Sequence, residues 1–232
     1  AYLLEEYVRL GYKARLTGKG GVLADLGGEG EAILLAAHVD TLGGMVAEVK
    51  GDGRLRITNI GGMNANNAEA ENVRIRTYDG ACYDGTLQLI DASIHVNGKY
   101  SDTARSWDTV EVVIDEPVSS KEDVEKLGIM TGNFVCFDPR TTITSSGYIK
   151  SRFLDDKLST AILLGYAKYL KDEHITLPRK IYQHITVFEE VGHGGCGSVP
   201  EGTVEFLSVD MGCVGNGLAC TGREVSLCVE DS

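Results

Sequence analysis

The spacing of hydrophobic residues divides this chain into helix-like and strand-like stretches. Residues 3–10 carry apolar side chains at helical spacing before Gly11, which predicts a short amphipathic helix ending there. Residues 32–37 form an unbroken apolar run, typical of a strand covered on both faces. Residues 158–170 have the apolar stripe of an amphipathic helix, and residues 181–188 and 204–209 are strand-like. These two parts of the chain predict an α/β fold.

The middle of the chain has a different pattern. Alternating apolar and polar residues are separated by the turn dipeptides Asp52-Gly53, Asp79-Gly80 and Asp84-Gly85. A short helix is predicted after Ser120, within a capping-box sequence. We therefore predict a β-rich insert over residues 45–149 that interrupts an α/β domain formed by residues 1–44 and 150–232.

Charge and cysteine content narrow the possible partners and the compartment. The chain has 22 Lys and Arg against 34 Asp and Glu, a net charge of −12. Because this field repels polyphosphates and anionic lipids, we expect neither nucleic acid nor a membrane as partner. No apolar run approaches the ~20 residues of a membrane-spanning helix.

The six cysteines include no Cys-x-x-Cys pair, and we interpret them as reduced, mostly buried thiols of a cytoplasmic protein.

A histidine and an aspartate at the end of the apolar run 32–37 are the first candidates for chemistry. His38 and Asp40 lie two residues apart, so strand geometry directs both side chains to one face. An imidazole that binds a metal needs its other ring nitrogen held, and a carboxylate two residues on can hold it. A histidine simply hydrogen-bonded at a strand end fits the same pattern, so both interpretations stay open.

Further acidic residues stand at the ends of other predicted elements. Asp155 opens the long helix, where a carboxylate either caps the helix or bridges two cations. Glu189 and Glu190 precede a glycine-rich turn, and adjacent carboxylates raise each other's pKa unless a cation offsets the repulsion. Asp210 follows a strand and is weak evidence by itself, and His193 is interpreted as a supporting residue. One imidazole with several carboxylates at strand ends suits Zn, Co or Mn.

Several motifs in a fixed order give the chain a family resemblance. It resembles the tetrahedral (TET) aminopeptidases and glutamyl aminopeptidases, a family of cytoplasmic dinuclear metallopeptidases. The motifs are Gly18-Lys19-Gly20-Gly21-Val22, Ala36-Ala37-His38-Val39-Asp40, Ile60-Gly61-Gly62, Ser120-Lys121-Glu122, Leu127-Gly128-Ile129, Phe153-Leu154-Asp155-Asp156-Lys157 and Glu189-Glu190-Val191-Gly192.

The resemblance implies roles for individual residues. It makes His38, Asp155, Glu190 and Asp210 the ligands of two divalent metal ions per subunit, with Asp155 bridging both. Zn is favoured over Co or Mn. Glu189 would be the general base, and Asp40 would orient and tune His38. The resemblance also implies a cis peptide bond between Asp155 and Asp156.

The resemblance implies a function and an assembly as well. The fold class would be a metallopeptidase-type α/β catalytic domain interrupted by a small, PDZ-like β-barrel domain. That barrel would pair subunits within a homo-oligomeric, dodecameric shell. The protein would be a metal-dependent aminopeptidase that removes N-terminal residues from peptide substrates. Relatives extend past the position of Ser232 and provide a further His ligand, so we expect the C-terminal part of the catalytic domain to be missing from this chain.

Two other functions stay open at this stage. A glycoside hydrolase of the cellulase type would use Glu189 and a second acid, and its chemistry needs opposed carboxylates at a defined separation. A non-catalytic peptide-binding subunit would instead bind an extended peptide along an edge of the β-rich insert.

Overall fold

The computed structural model describes residues 1–228 of the chain. The described residues form two compact units, one made of Ala1–Asp40 with the chain from Leu154 onward, the other of Thr41–Phe153. The elements in chain order are α1 (Tyr2–Arg9), β1 (Lys13–Leu16), β2 (Val22–Gly27), β3 (Ala32–His38), β4 (Gly43–Val49), β5 (Leu55–Ile60), β6 (Asn72–Arg76), β7 (Cys82–Leu89), β8 (Val110–Ile114), α2 (Lys121–Lys126), β9 (Phe134–Phe137), β10 (Thr142–Ile143), β11 (Ile149–Lys150), α3 (Leu154–Asp172), β12 (Lys180–Thr186) and β13 (Thr203–Ser208).

The first unit contains a mixed five-stranded sheet in the order β1-β2-β12-β3-β13. Strand β3 runs parallel to both of its neighbours, β12 and β13, while β1, β2 and β12 pair antiparallel. Strand β3 is covered by neighbouring strands on both sides, which explains the continuous apolar run at residues 32–37. The carboxyl ends of the three parallel strands lie at one edge of the sheet, where His38 ends β3.

Helices α1 and α3 supply part of the core of this unit. Tyr7 of α1 is fully buried, and its hydroxyl donates a 2.7 Å hydrogen bond to Oε1 of the buried Gln183 in β12. The Gln183 amide nitrogen in turn donates to the carbonyl of Leu163 in α3 at 2.8 Å. These bonds satisfy buried polar groups that would otherwise cost stability. The buried apolar residues of this core are Tyr7, Tyr12, Val22, Ala24, Leu26, Ala37, Leu163, Ala167, Leu170, Ile181 and Ile185.

The second unit is built around a closed six-stranded barrel in the order β4-β5-β8-β7-β6-β9. Its strands pair antiparallel, and closure leaves no unpaired barrel edge. The barrel interior and the segments packed on it bury these apolar residues: Val46, Val49, Leu55, Ile57, Met63, Ala65, Ala68, Val73, Ile75, Leu87, Leu89, Val110, Val112, Ile114, Val124, Ile129, Val135 and Phe137. Helix α2 begins as expected, with the Ser120 hydroxyl accepting the Asp123 N–H at 3.2 Å.

The boundaries of the barrel unit differ from the sequence pattern of residues 45–149. Gly43 and Gly44 already pair with Ile60 and Asn59 in the β4–β5 ladder, so the unit begins earlier. At its other end, Phe153 packs against the barrel core. Glycine has no side chain, so residues 43 and 44 do not contribute to the alternation of apolar and polar residues from which the insert is predicted.

The cysteines and the helices bear on two further expectations. All six cysteines are free thiols, but five are exposed and Cys220 is half-buried, so the prediction that most are buried is wrong. Cys82 and Cys136 occupy outward positions of barrel strands, which the alternation of the strand places away from the core. None of the helices within residues 1–228 has the length and apolar content needed to cross a bilayer.

Candidate metal centre

His38 is the centre of a polar cluster at the carboxyl edge of the parallel strands. It ends β3 and is 2% exposed. Its Nε2 lies 3.2 Å from Asp155 Oδ1, 3.5 Å from Glu189 Oε2 and 3.8 Å from Asp210 Oδ2. One imidazole carries at most one positive charge, so three facing carboxylates leave an excess of negative charge. A bound cation would balance that excess.

Asp40 contacts the other side of the imidazole. His38 Nδ1 lies 3.2 Å from the Asp40 carbonyl oxygen and 3.4 Å from Asp40 Oδ1. A proton on Nδ1 is donated to the Asp40 carbonyl oxygen and leaves the lone pair of Nε2 directed at the three carboxylates, as a metal-binding histidine requires. Asp40 Oδ2 also accepts the backbone N–H of Glu190 at 3.1 Å. Asp40 therefore links the end of β3 to the turn that carries Glu189 and Glu190.

The start of α3 places Asp155 beside His38. Asp155 (φ −76°, ψ 106°) and Asp156 (φ −123°, ψ 31°) depart from helical geometry, and regular helix follows them. A cis peptide bond joins the two residues, which confirms the expectation from the family resemblance. Because the Asp155 carboxylate faces His38 Nε2, the alternative role of a simple helix cap does not describe its position.

Asp156 and Thr160 hold the backbone of His38. Asp156 is 1% exposed, and its Oδ2 accepts the His38 backbone N–H at 3.0 Å. The Thr160 hydroxyl donates to the His38 carbonyl at 3.0 Å. Burial raises the pKa of Asp156, although its hydrogen bonds oppose the rise. The sequence analysis did not predict that Asp156 and Thr160 hold the His38 backbone. For Asp156, its place in the Asp155-Asp156-Lys157 motif was a sequence feature that could have suggested such a role.

The two adjacent glutamates lie outside regular strand geometry, as their proximity requires. Strand β12 ends at Thr186, Phe188 adopts a left-handed conformation (φ 71°), and Glu189–Val191 form a single 3-10 turn. Glu189 faces His38, and burial raises its pKa; His38 opposes this rise, while Asp210, Asp40 and Asp155 add to it. A raised carboxyl pKa brings this group closer to the range of a general base.

Asp210 reaches the cluster because β13 runs alongside β3. The Val209 N–H donates to the Ala36 carbonyl at 2.7 Å, which extends that pairing to the end of the strand. Among the described residues, His38, Asp155 and Asp210 form a group whose potential ligand atoms all lie within 4.8 Å of one another. This spacing and the mixture of nitrogen and oxygen donors fit a divalent ion such as Zn, Co or Mn.

The charges around His38 do not cancel. Burial lowers the pKa of His38, but Glu189, Asp40 and Asp210 together raise it above its ordinary value. Lys157 brings a positive charge nearby, and its Nζ donates to the Val39 carbonyl at 3.1 Å. Burial lowers the pKa of Lys157, while Asp40 and Glu190 act in the opposite direction. On the opposite side of the ring, Asp40 Oδ1 is buried and has no hydrogen-bond partner within residues 1–228.

The structure thus brings together most of the residues singled out from the sequence. Asp40, Asp155, Glu189 and Asp210 surround the imidazole of His38. Glu190 is not one of the three potential ligands in this group, and its backbone N–H donates to Asp40 Oδ2. A cleft of about 270 Å³ opens beside the cluster, and Phe206 and the glycines at 192, 194 and 195 help to line it.

Comparisons with known proteins connect this geometry to peptidases. The sequence model of the M42 glutamyl aminopeptidase family matches residues 20–232. The Bacillus subtilis protein YhfE, whose name places it among aminopeptidases, is 46% identical over 216 residues, which cover 92% of this chain and 62% of YhfE. The chain therefore spans less than two thirds of the length of this curated relative.

Two solved structures share the fold. Aminopeptidase APDkam598 from the archaeon Desulfurococcus kamchatkensis has a TM-score of 0.72 and 27% identity, covering 82% of this chain and 50% of its own. The TET1 peptidase of Pyrococcus horikoshii, which can assemble into a tetrahedron or a large octahedral shell, has a TM-score of 0.69 and 25% identity, covering 82% of this chain and 55% of its own. The mixed α/β fold described above is thus similar to that of TET aminopeptidases.

Proposed function

This chain belongs to the M42 glutamyl aminopeptidase family, and on that premise we propose that the protein is a metal-dependent aminopeptidase that removes N-terminal residues from peptides. The observation that carries the proposal is the convergence of His38, Asp155 and Asp210 within 4.8 Å at one edge of the sheet, with Glu189 beside them. A compact group of this kind suits hydrolysis assisted by a divalent metal.

We assign the ligands from the positions of these side chains. His38, Asp155 and Asp210 would hold one ion, and Asp155 together with Glu190 would hold the second of two divalent ions per subunit. Glu190 is given to the second ion because the family resemblance makes it a metal ligand and its backbone is fixed beside the cluster by Asp40. Zn is favoured over Co or Mn for a site with an imidazole and several carboxylates. Bound ions of this type supply Lewis acidity, which polarises a carbonyl and makes water nucleophilic near neutral pH.

Glu189 and Asp40 perform the remaining catalytic tasks. The carboxylate of Glu189, whose pKa is raised, accepts a proton from the attacking water and can return it to the departing amine. Asp40 holds the proton on His38 Nδ1 and fixes the Glu189–Glu190 turn through the Glu190 N–H. Both the ligand and the base therefore keep their orientation while the substrate reacts.

The proposed ions give a physical reason for a preference for free N-termini. They would balance the negative charge of Asp155, Glu189 and Asp210 around His38. The α-amino group of a peptide, once deprotonated, has a nitrogen lone pair and would serve as a further ligand. A blocked N-terminus does not offer this interaction.

The barrel unit has a separate role in this proposal. We infer that Thr41–Phe153 is an insert of the PDZ-like type that interrupts the catalytic domain and mediates association with other copies of the chain. Support comes from the two flanking segments of the α/β unit and from the shells formed by the Pyrococcus horikoshii relative. A dodecamer is the assembly that the family resemblance suggests. Six free thiols agree with a cytoplasmic location, where disulfides are rare.

The two alternative functions receive less support. The family match and the relatives described above are named as aminopeptidases or a peptidase. The carboxylates crowd around one buried imidazole rather than facing each other as an isolated acid pair, which is unlike a glycosidase site. A subunit that only binds peptides would not need this clustering of charge.

The test uses the full-length protein and a panel of aminoacyl chromogenic amides. We expect a chelator to abolish hydrolysis, re-added Zn, Co or Mn to restore it, and N-acetylated versions of the same substrates to resist. Glu189→Gln should lower kcat by roughly 10²–10⁴. Glu201→Gln, which removes an exposed carboxylate of the same unit, is the matched control and should leave kcat unchanged. Hydrolysis that survives the chelator, or equal rates on acetylated substrates, would contradict the proposal.

A further inference from the structure

The turn Gly18-Lys19-Gly20-Gly21 between β1 and β2 has no part in the proposed reaction. The Thr17 N–H donates to the Gly21 carbonyl at 2.7 Å, and the Gly20 N–H donates to the Thr17 carbonyl at 3.0 Å. A Cβ on Gly21 would lie 2.7 Å from the Ile185 carbonyl, so the turn rests directly on β12. The base of the Lys19 side chain is therefore fixed against the strand that leads to Glu189.

The ammonium group of Lys19 reaches the loop that follows the two glutamates. Its Nζ donates to the carbonyl oxygen of His193 and lies 2.9 Å from Cys196 Sγ. Cys196 Sγ also lies 3.4 Å from the His193 carbonyl. These residues are more than 170 positions apart in the sequence, so the contact joins the first hairpin of the chain to the loop at residues 192–197, here called the glycine loop.

The glycine loop is coupled to Glu189 by close contacts. The Gly192 N–H donates to the Glu189 carbonyl at 2.7 Å, and the His193 N–H donates to the Phe188 carbonyl at 2.8 Å. A Cβ on Gly194 would lie 3.1 Å from Glu189 Cβ and 3.2 Å from Thr186 Oγ1. A displacement of the glycine loop would therefore move the backbone of Glu189.

The high glycine content of the glycine loop makes its ordering costly, so a contact with another segment stabilises it. Four of its six residues are glycines, which lose more conformational freedom on folding than any other residue. The pair formed by Lys19 and Cys196 supplies an ordering interaction, since an ammonium stabilises a thiolate and lowers the pKa of Cys196. A charge-assisted contact of this kind is stronger than one between neutral groups.

We propose that Lys19 is a positioning residue, which holds the glycine loop through the His193 carbonyl and the Cys196 sulfur and thereby sets the Glu189 carboxylate against His38. Its importance for turnover rests on the proposed function of Glu189, whereas its contact with Cys196 can be tested without any substrate. Alkylation of Cys196 occupies the sulfur that Lys19 contacts, so it should have the same effect as removing the ammonium.

The first experiment measures the reactivity of Cys196 in the metal-loaded, full-length protein. In iodoacetamide the Cys196 thiolate forms the S–C bond and iodide leaves, and peptide mapping follows each cysteine from pH 6 to 9. Lys19→Met should slow alkylation of Cys196 at pH 7 by roughly three- to tenfold, because less thiolate is present. Lys19→Arg should stay near the wild-type rate. Lys13→Met changes an exposed lysine of the same hairpin and should have no effect.

The exposed Cys82 and Cys136 are internal references in the same samples, because they lie in the barrel unit. Their alkylation should be equal in all four proteins. A Cys196 rate-against-pH curve that is the same in wild type and Lys19→Met would overturn the proposal, since Lys19 would then not contact the thiol in solution.

The second experiment measures turnover of an aminoacyl chromogenic amide. Lys19→Met should lower kcat about tenfold with KM changed less than about twofold, because misplacing a catalytic group affects the reaction step. Lys19→Arg should recover most of kcat, and alkylation of wild-type Cys196 should reproduce the loss. Unchanged kcat in Lys19→Met, or no recovery with Arg, would refute the positioning role. A wild-type protein without aminopeptidase activity would refute the proposed function instead, and the alkylation series would still decide the role of Lys19.

Discussion

The two units of the molecule differ in whether neighbouring side chains neutralise the charge around their buried polar groups. In the barrel unit, Glu111 is fully buried, and its carboxylate oxygens meet Lys50 at 2.7 Å and the guanidinium of Arg54. This buried anion is neutralised within the fold. In the α/β unit, His38 is equally inaccessible, yet its Nε2 faces carboxylates of Asp155 and two other acids.

This difference separates a structural use of charge from a functional one. The pairing of Glu111 with two cations needs nothing from outside the chain. The cluster at His38 carries more negative than positive charge, and such unbalanced, perturbed groups are typical of binding or catalytic sites. The balance of charge, rather than burial alone, therefore identifies the candidate metal centre.

The largest expected effect comes from removing the carboxylate assigned to both metals. Asp155→Asn in the full-length protein should lower kcat/KM by at least ~10³, because Asp155 would hold both ions and they would supply the Lewis acidity for the proposed hydrolysis. Metal content, measured by mass spectrometry of the dialysed protein, should fall in parallel. Asp172→Asn, at the other end of α3, is the control and should keep both values. If Asp155→Asn hydrolysed the substrate at the wild-type rate, the cluster at His38 would not be the functional site.

The next effect is stabilisation by metal. Zn added to the chelator-treated protein at about 100 times its Kd should raise the free energy of unfolding by ~2.7 kcal/mol, provided that it binds the folded state alone. Asp210→Asn should lose most of this gain, because it removes one of three clustered ligands. A barrel variant such as Glu111→Gln should keep the gain. Equal stabilisation of wild type and Asp210→Asn would place the ion elsewhere.

The barrel variant Glu111→Gln should act on stability instead of activity. It leaves Lys50 and Arg54 without their anion, and we expect the free energy of unfolding to fall by about 2 kcal/mol, since both cations are partly exposed. Glu48→Gln breaks an exposed ion pair with Arg56 in the same barrel and should cost less than about 0.5 kcal/mol. Denaturant titration followed by kcat of the folded protein measures both. Loss of kcat without loss of stability in Glu111→Gln would contradict the assignment of Glu111 as structural.

The smallest effect concerns pH in the absence of metal. The folded-state pKa values of His38 and Glu189 lie above their ordinary values near 6.5 and 4.5, so each of these two groups binds more protons in the folded state than in the unfolded chain. Both contributions are complete below the ordinary pKa and are lost as pH rises through the folded-state pKa. His38 should therefore make the melting temperature of the chelated protein fall slightly from pH 6 to 8, whereas the buried His184, whose pKa is lowered, acts in the opposite direction. The test is the difference between the melting temperatures of wild type and His38→Gln, which should shrink from pH 6 to 8, and a difference that does not change with pH would contradict the raised pKa of His38.

The sequence determined the features that depend on neighbouring residues. The apolar run before His38 predicts a covered strand, and β3 lies between two parallel strands. The capping box at Ser120 predicts a helix start, which the hydrogen bond to the Asp123 N–H confirms. Two adjacent carboxylates before glycines require the chain to leave strand geometry, as the turn at Glu189–Val191 does. Such patterns reflect local backbone geometry and burial, so a single sequence is enough to detect them.

The tertiary structure decided the contacts between distant segments. His38 and Asp155 are 117 residues apart, and only the fold shows that Asp155 faces the imidazole while Asp156 binds the backbone of His38. The fold likewise places the Glu189 carboxylate 3.5 Å from His38 Nε2. The contact of Lys19 with the glycine loop has no sequence pattern at all. These contacts depend on how the strands align and where the turns end in space. They form over distances of about 3 Å, which the spacing of residues along the chain does not determine.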